Sequence, residues 1–170
     1  MTGGDELVAR YDENGDVIGS AQRSAVRAEG LWHASSGILV RSGDGERVYV
    51  HLRSASKDVF PSMYDCWAGG VVAAGETPEQ AAYRELAEEL GVSGTVLRHL
   101  FTDVYDQPPV RVHAYCFEAR WDGPIVHQEA EIVAGEWLPV TELRARLTGE
   151  WPFVPDGRQF ALRWLDLTSS

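Results

Sequence analysis

Alternating apolar and polar residues predict two β-hairpins in the first third of the chain. Residues 6–11 and 17–18 alternate in this way around Asp12-Glu13-Asn14-Gly15-Asp16, and an Asn-Gly pair between strand-like runs is a strong hairpin signal. Residues 37–40 and 47–52 form a second pair of runs, separated by a Ser-Gly-Asp-Gly turn whose glycines supply positive φ angles. We therefore expect an N-terminal β-ribbon followed by a second hairpin.

A helical pattern follows over residues 78–90. Thr77 is placed to cap the first turn, Gln80 to return a hydrogen bond to the cap, and Gly91 to end the helix. Strands are then expected at 111–120 and 132–138, and helices at 140–147 and 156–165. Strands on both sides of a central helix, with further helices at the end, predict an α+β layered domain.

Three carboxylates lie on one side of the central helix. Glu85, Glu88 and Glu89 are spaced i, i+3 and i+4, which at about 100° per residue places them within one arc of the surface. The helix is expected to dock on the core through an adjacent apolar stripe of Tyr83, Leu86 and Leu90. A solvated face is the ordinary interpretation of such a triplet, but like charges beside a packed seam repel unless a cation compensates them. Hard oxygen ligands favour Mg²⁺ or Mn²⁺.

The composition of the chain mainly excludes classes of protein. A chain of 170 residues with 44% hydrophobic residues predicts one compact domain over residues 1–170. The net charge of −11 argues against binding to a nucleic-acid polymer or to a membrane surface. Cys66 and Cys116 lack metal-binding spacing and are interpreted as free thiols of a reducing cytoplasm. The first residues show neither the basic start nor the apolar run of an export signal.

The helix and the segment before it together carry a specific motif. Residues 68–76 read as a glycine-punctuated loop whose backbone is suited to a close approach of phosphate or metal. Gly70 is followed after five residues by Glu76 and, after seven more, by Arg84-Glu85-Leu86-Ala87-Glu88-Glu89-Leu90-Gly91-Val92. Residues 70–92 therefore match the Nudix box, and the chain resembles Nudix hydrolases.

This resemblance implies an α/β/α sandwich with a mixed central sheet, in which the box forms a loop–helix–loop. It implies an Mg²⁺-dependent enzyme, with Mn²⁺ as the other candidate ion, that hydrolyses a diphosphate bond in a nucleoside diphosphate derivative or a related small organic diphosphate. The residues it assigns to catalysis or metal binding are Arg84, Glu85, Glu88, Glu89, the main-chain oxygen of Gly70, and Glu131, with Glu129 as the alternative to Glu131. Glu76 is either a residue that supports the metal ligands or only a charge near the helix N-terminus.

Outside the box the chain resembles bacterial Nudix proteins related to type I isopentenyl diphosphate isomerase. The shared stretches are residues 16–19, 30–33 and 52–61, and Glu131 together with Trp137. In those isomerases the residues that match Arg53 and Lys57 hold the diphosphate, so we expect both to bind substrate phosphate, with surface cations as the alternative. The positions that carry isomerisation chemistry hold other residues here, namely Val26, Gly69, Val71, Val110 and Val112.

An isomerase and a non-catalytic ligand sensor are the alternatives to a hydrolase, and the complete set of box acids favours the hydrolase. His33 is expected to be a structural residue, with a remnant metal ligand as the other interpretation. The aromatic residues of 151–164 are expected to form core under a C-terminal helix within 150–170. A small-molecule substrate is expected, and the ribbon within 1–30 is compatible with a homodimer.

Overall fold

The computed structural model describes residues 6–168. Residues 1–5 and 169–170 of the expected 1–170 domain lie outside the described residues, and the first five belong to the segment considered for an export signal. The strands are β1 (Leu7–Tyr11), β2 (Val17–Gln22), β3 (His33–Arg41), β4 (Arg47–Arg53), β5 (Tyr64–Asp65), β6 (Trp67–Val71), β7 (Arg98–Gln107), β8 (Val110–Arg120) and β9 (Ile132–Pro139). The helices are α1 (Arg23–Glu29), α2 (Pro78–Leu90), α3 (Val140–Thr148) and α4 (Pro155–Thr168). None of these helices is long and apolar enough to cross a membrane.

Strand β3 is the centre of a mixed sheet. It pairs in parallel with β8 along its whole length and antiparallel with β6 over residues 35–39. Strand β7 extends the sheet beyond β8, and the β1–β2 ribbon extends it from the N-terminal end of β3. Strand β4 carries the remaining strands, β9 and β5.

Each face of the sheet packs against helices. Along β3, Leu39 contributes to a core shared with α3 and α4, whereas its neighbours Ile38 and Val40 contribute to a core shared with α2. Alternate residues of a strand point to opposite faces, so this division follows directly from the period of the strand. The predicted α+β class and α/β/α sandwich are therefore confirmed. The aromatic core expected near the C-terminus is also present, with Phe153, Phe160 and Trp164 buried.

The bounds predicted for α2 are those observed. The Thr77 side chain accepts a hydrogen bond from the main-chain nitrogen of Gln80 at 3.1 Å, and the Gln80 side chain accepts one from Thr77 nitrogen at 2.9 Å. Gly91 follows the helix with a φ of 65°, in the left-handed region that favours glycine. These signals are local, and they place the helix that carries the acids without reference to the rest of the fold.

The second predicted hairpin is only partly correct. The turn after β3 is tight, but β3 and β4 share a single pair, Arg41 with Val48. The two edges of β3 are occupied by β6 and β8, so β4 diverges and pairs with β9 instead. The first hairpin, β1–β2, is observed, whereas the proposed dimer through this ribbon stays a prediction.

The expectation of an irregular loop over 68–76 was wrong for its first half, which is strand β6. Gly69 lies so close to β3 that a Cβ there would sit 1.8 Å from the main-chain oxygen of Ser36. The lack of a side chain at Gly69 therefore allows the backbones of β6 and β3 to approach closely at this point. Helix α1 and strand β7 were also missed, since both carry little hydrophobic periodicity.

Candidate active site

The three box glutamates occupy three different environments on α2. The side chain of Glu88 is 50% exposed and that of Glu85 is 14% exposed, while Glu89 is buried at 4% exposure. Tyr83, expected in the apolar stripe, is instead 40% exposed. The buried face of α2 thus includes Glu89 itself, so the interpretation of the triplet as a solvated helix face is wrong for this residue.

Glu89 is held by the backbone of β6. Its Oε1 accepts a hydrogen bond from the main-chain nitrogen of Gly69 at 2.5 Å. Burial, together with the neighbouring charge of Glu85, raises the pKa of Glu89 to about 8. A carboxylate in this position is poorly compensated, which is the condition that a bound cation relieves.

Glu85 lies directly against Gly70. A Cβ at Gly70 would sit 2.8 Å from Glu85 Oε1, so the absence of a side chain at position 70 makes room for the carboxylate. Burial also raises the pKa of Glu85. The Gly69–Gly70 pair and the two buried glutamates therefore form one compact group of oxygen ligands and main-chain atoms.

Arg84 organises the acids around this group. It donates to both oxygens of Glu76 at 2.7 and 2.9 Å, to Glu85 at 2.8 Å and to Glu88 at 3.3 Å. The hydrogen bond from Arg84 lowers the pKa of Glu76, which also accepts from the main-chain nitrogen of Ala73. Glu76 thus supports the site through Arg84, and it keeps Arg84 oriented toward the two glutamates.

Glu131 reaches the site from the opposite side. Its carboxylate forms an ion pair with Lys57, whose side chain is 13% exposed, and its main-chain oxygen accepts from Ser54. The main-chain nitrogen of Gln128, in the same turn, donates to the main-chain oxygen of Glu89 at 3.0 Å. Glu129, the alternative to Glu131, is exposed and has no ion pair among the described residues. The charge of Glu131 acts on Glu89, so the structure brings Glu131 close to the box glutamates, whereas Glu129 is exposed to solvent.

No three His, Cys, Asp or Glu side chains of residues 6–168 converge in a ready metal cluster. The donor chemistry nevertheless fits a hard divalent cation, because two buried carboxylates with raised pKa values lie beside the Gly70 backbone. Arg84 and Lys57 now neutralise part of this acidic charge. Lys57 occupies Oε2 of Glu131, which leaves the second carboxylate oxygen as the one available to a cation.

A cleft of about 110 Å³ opens from the Gly69–Gly70 pair. Lys57 and Arg53 both line it, as do Arg23 and Arg27 of α1, which sequence reasoning missed. Arg53 donates to the main-chain oxygens of Val59 and Phe60 and has no ion pair among the described residues. The missed arginines are spaced i, i+4, but only the fold shows that they face the cleft.

Asp58 ties α1 to the loop that carries Lys57. It accepts from Arg23 Nε at 2.9 Å and from Arg27 Nε at 3.3 Å. His33, beside Arg27, is buried and in hydrogen-bond contact with the main-chain oxygen of Leu31. Burial lowers the pKa of His33 to about 4, so the ring is neutral near pH 7. These contacts support the structural interpretation of His33.

Four of the five positions that distinguish this chain from the isomerases, all but Val26, also line the cleft. Val71, Val110 and Val112 line it, so apolar side chains stand where isomerisation would need titratable groups. Cys66 is buried, and burial raises the pKa of its thiol well above the usual value. The isomerases have a cysteine at the position of Gly69, and Cys66, three residues earlier in this chain, is therefore not available to replace it.

The NUDIX domain profile matches residues 31–161. The chain belongs to the Nudix family. An uncharacterized Nudix hydrolase of Rhodococcus erythropolis is 49% identical over 164 residues, covering 91% of this chain and 89% of the relative. Another from Streptomyces coelicolor is 43% identical, covering 92% and 87%. A crystal structure of a Deinococcus radiodurans protein superimposes with a TM-score of 0.81 at 29% identity, covering 93% of this chain and 98% of that protein.

These comparisons identify the chain as an enzyme of the Nudix pyrophosphohydrolase class. Membership of the Nudix family implies hydrolysis of a nucleoside diphosphate linked to another moiety. The relatives support the family, and they do not support the closer relation to type I isopentenyl diphosphate isomerase that was expected from the sequence.

Proposed function

We propose that this Nudix enzyme hydrolyses a diphosphate bond in a nucleoside diphosphate derivative, or in a related small organic diphosphate, with Mg²⁺ bound at the box carboxylates. The observation that carries the proposal is the packing of the buried Glu89 and the largely buried Glu85 against Gly69–Gly70, at one end of a cation-lined cleft. Residues 1–170 would form a single such domain acting in the cytoplasm.

In this proposal the metal ligands are Glu85, Glu88, Glu89, Glu131 and the main-chain oxygen of Gly70. A bound divalent ion would neutralise charge on the diphosphate and lower the pKa of the attacking water, with Mn²⁺ as a substitute for Mg²⁺. One of the box glutamates would accept the proton of that water. Arg84 would fix the orientation of Glu85 and Glu88 through the contacts it already makes.

Arg53 and Lys57 are the proposed phosphate contacts. Both side chains line the cleft beside the box, and Arg53 forms no ion pair among the described residues. A guanidinium group can bind two phosphate oxygens at once, whereas the Lys57 ammonium acts as a point charge. Binding of substrate phosphate by Lys57 would also release Glu131 toward the metal ions.

Neither alternative function is favoured by a specific contact. Isomerisation would need groups that Gly69, Val71, Val110 and Val112 do not provide. A sensor without activity would have no use for the complete set of acids and their shared arginine.

The test is incubation of the protein with Mg²⁺ and a panel of nucleoside diphosphate derivatives, with phosphate measured after phosphatase treatment. At least one compound is expected to be cleaved, with Glu89→Gln lowering the rate by a factor of about 100 or more. Glu79→Gln, at an exposed position in the first turn of the same helix, is the matched control and should behave as the wild type. Tight binding of one compound without cleavage of any would favour the sensor and contradict the proposal.

A further inference from the structure

Two carboxyl groups in the same cleft as Arg53 have no role in the proposed hydrolysis. Asp65 ends β5, Asp156 lies in the first turn of α4, and both line the same cleft as Arg53 and Lys57. Asp65 is only 7% exposed. The charge of Arg53 favours the ionised form of both groups, but neither forms an ion pair with a side chain among the described residues, which is unusual for buried carboxyl groups.

The backbone fixes both groups in place. Asp65 Oδ1 accepts from the main-chain nitrogen of Trp67 at 3.1 Å, and Asp156 Oδ1 accepts from that of Gly157 at 2.9 Å. A Cβ at Gly157 would sit 2.5 Å from Asp65 Oδ1, so the glycine is what allows the Asp65 carboxyl group to approach α4. No side chain of the described residues is hydrogen bonded to either group, which leaves acceptor capacity for a ligand in the cleft.

The surroundings select the kind of ligand. Burial raises the pKa of Asp65 to about 7, with a further contribution from the charge of Asp156, and burial also raises the pKa of Asp156. The pair therefore carries less than its full negative charge near neutral pH. An ammonium ligand would meet the arginines Arg53 and Arg27 in the same cleft, whereas a neutral donor avoids this repulsion.

We propose that Asp65 and Asp156 bind hydroxyl groups of the substrate, either on the ribose of the nucleoside or on the group linked to the diphosphate. This inference rests on the proposed function and makes the two aspartates specificity-determining residues. Asp65 precedes Gly69 by four residues of nearly continuous strand, a separation of at most about 13 Å. This separation is within the reach of one bound substrate, so the proposal places a sugar beside the two aspartates, where Trp67 and Phe160 also line the cleft.

The experiment compares three compounds that share one base: a nucleoside diphosphate hexose, the methyl ester of the same nucleoside diphosphate, and the 2′,3′-dideoxynucleoside diphosphate hexose. For each, kcat/KM is measured with the wild type, Asp65→Asn, Asp156→Asn and the control Asp166→Asn. Asp166 is exposed, lies at the far end of the same helix and pairs with Arg144. The readout is the preference of each protein for the fully hydroxylated compound.

The wild type is expected to prefer the hydroxylated hexose compound over at least one of the others, and both variants should reduce that preference about tenfold or more. Loss of preference over the methyl ester would place the hydroxyls on the linked group, and loss over the dideoxy compound would place them on the ribose. The control should keep the wild-type preferences.

Three outcomes would overturn the inference without contradicting the proposed hydrolase function. They are unchanged preferences in the variants, an equal fall in kcat/KM for all three compounds, and a wild type that shows no preference. Absence of turnover with all three compounds would overturn the subsite, and the proposed function would be rejected with it only if every compound of the wider panel were also left uncleaved. Should Asp65→Asn fail to fold by circular dichroism, Asp156→Asn decides alone, because Asp156 is more exposed than Asp65.

Discussion

Replacement of Glu89 by glutamine is expected to stabilise the metal-free protein while removing most of its activity. Burial and the charge of Glu85 raise the pKa of Glu89 from 4.5 to about 8. A raised carboxyl pKa gives the folded state stability that is fully present below pH 4.5 and is lost as the pH rises toward 8. Between pH 4.5 and pH 7 this loss amounts to about 3 kcal/mol, at about 1.4 kcal/mol per pH unit.

Glutamine carries no charge at any of these pH values, and its side-chain oxygen can still accept the hydrogen bond from Gly69. The variant should therefore avoid the loss. At pH 7 it is expected to exceed the wild type by up to about 3 kcal/mol, which corresponds to a Tm higher by about 6–12 °C for a chain of this length. At pH 4.5 the two proteins should be nearly equal.

The assay is thermal denaturation with a chelator present at several pH values between 4.5 and 8. The difference in Tm between the variant and the wild type isolates Glu89, because Asp65 and the buried His33 and His51 titrate in both proteins. Glu88→Gln, at a half-exposed position, should change Tm by less than about 2 °C. Mg²⁺ should then raise the Tm of the wild type more than that of Glu89→Gln. A variant less stable than the wild type at pH 8 would refute the reasoning.

Three further outcomes are expected. Arg84→Lys should lower kcat by about tenfold or more with little effect on folding, because an ammonium group cannot hold several carboxylates as the guanidinium does, and steady-state kinetics would detect this. Gly69→Ala should lower the free energy of unfolding, measured in urea, by more than about 3 kcal/mol, because a Cβ there would lie 1.8 Å from a main-chain oxygen. Gly70→Ala should keep its fold and lose activity, because the added Cβ would displace Glu85. Equal losses of stability in the two variants would contradict this distinction. Lys57→Met should raise KM by about tenfold and weaken its dependence on salt concentration, and an unchanged KM would exclude a phosphate contact.

Local signals in the sequence were sufficient for the helix that carries the acids. The Thr77 cap, the Gln80 return bond and Gly91 act within a few residues of the helix, and its observed bounds are the predicted ones. The same holds for the first hairpin, whose strands are joined by a short turn. An element whose bounds are determined by its own residues can be predicted from the local sequence alone.

Features that depend on distant residues could not be obtained in this way. The burial of Glu89 follows from the approach of β6 to α2, and a helical projection of residues 78–90 contains no information on that neighbour. Asp65 and Asp156 come together from positions 91 residues apart, and Arg23 belongs to a helix without a clear pattern. The sequence therefore predicted the acids proposed for the reaction but missed most of the surface proposed to choose the substrate.

The backbone contact between Gly69 and Ser36 has a practical consequence for engineering. The strand that leads into the box is fixed to β3 by main-chain pairing, and the box helix by its own caps. Side chains on β8 that line the cleft, such as Val110, Val112 and Ala114, take no part in either attachment. These three side chains also belong to the buried core, so a library of apolar residues of similar size should alter substrate range while the glutamates stay in register.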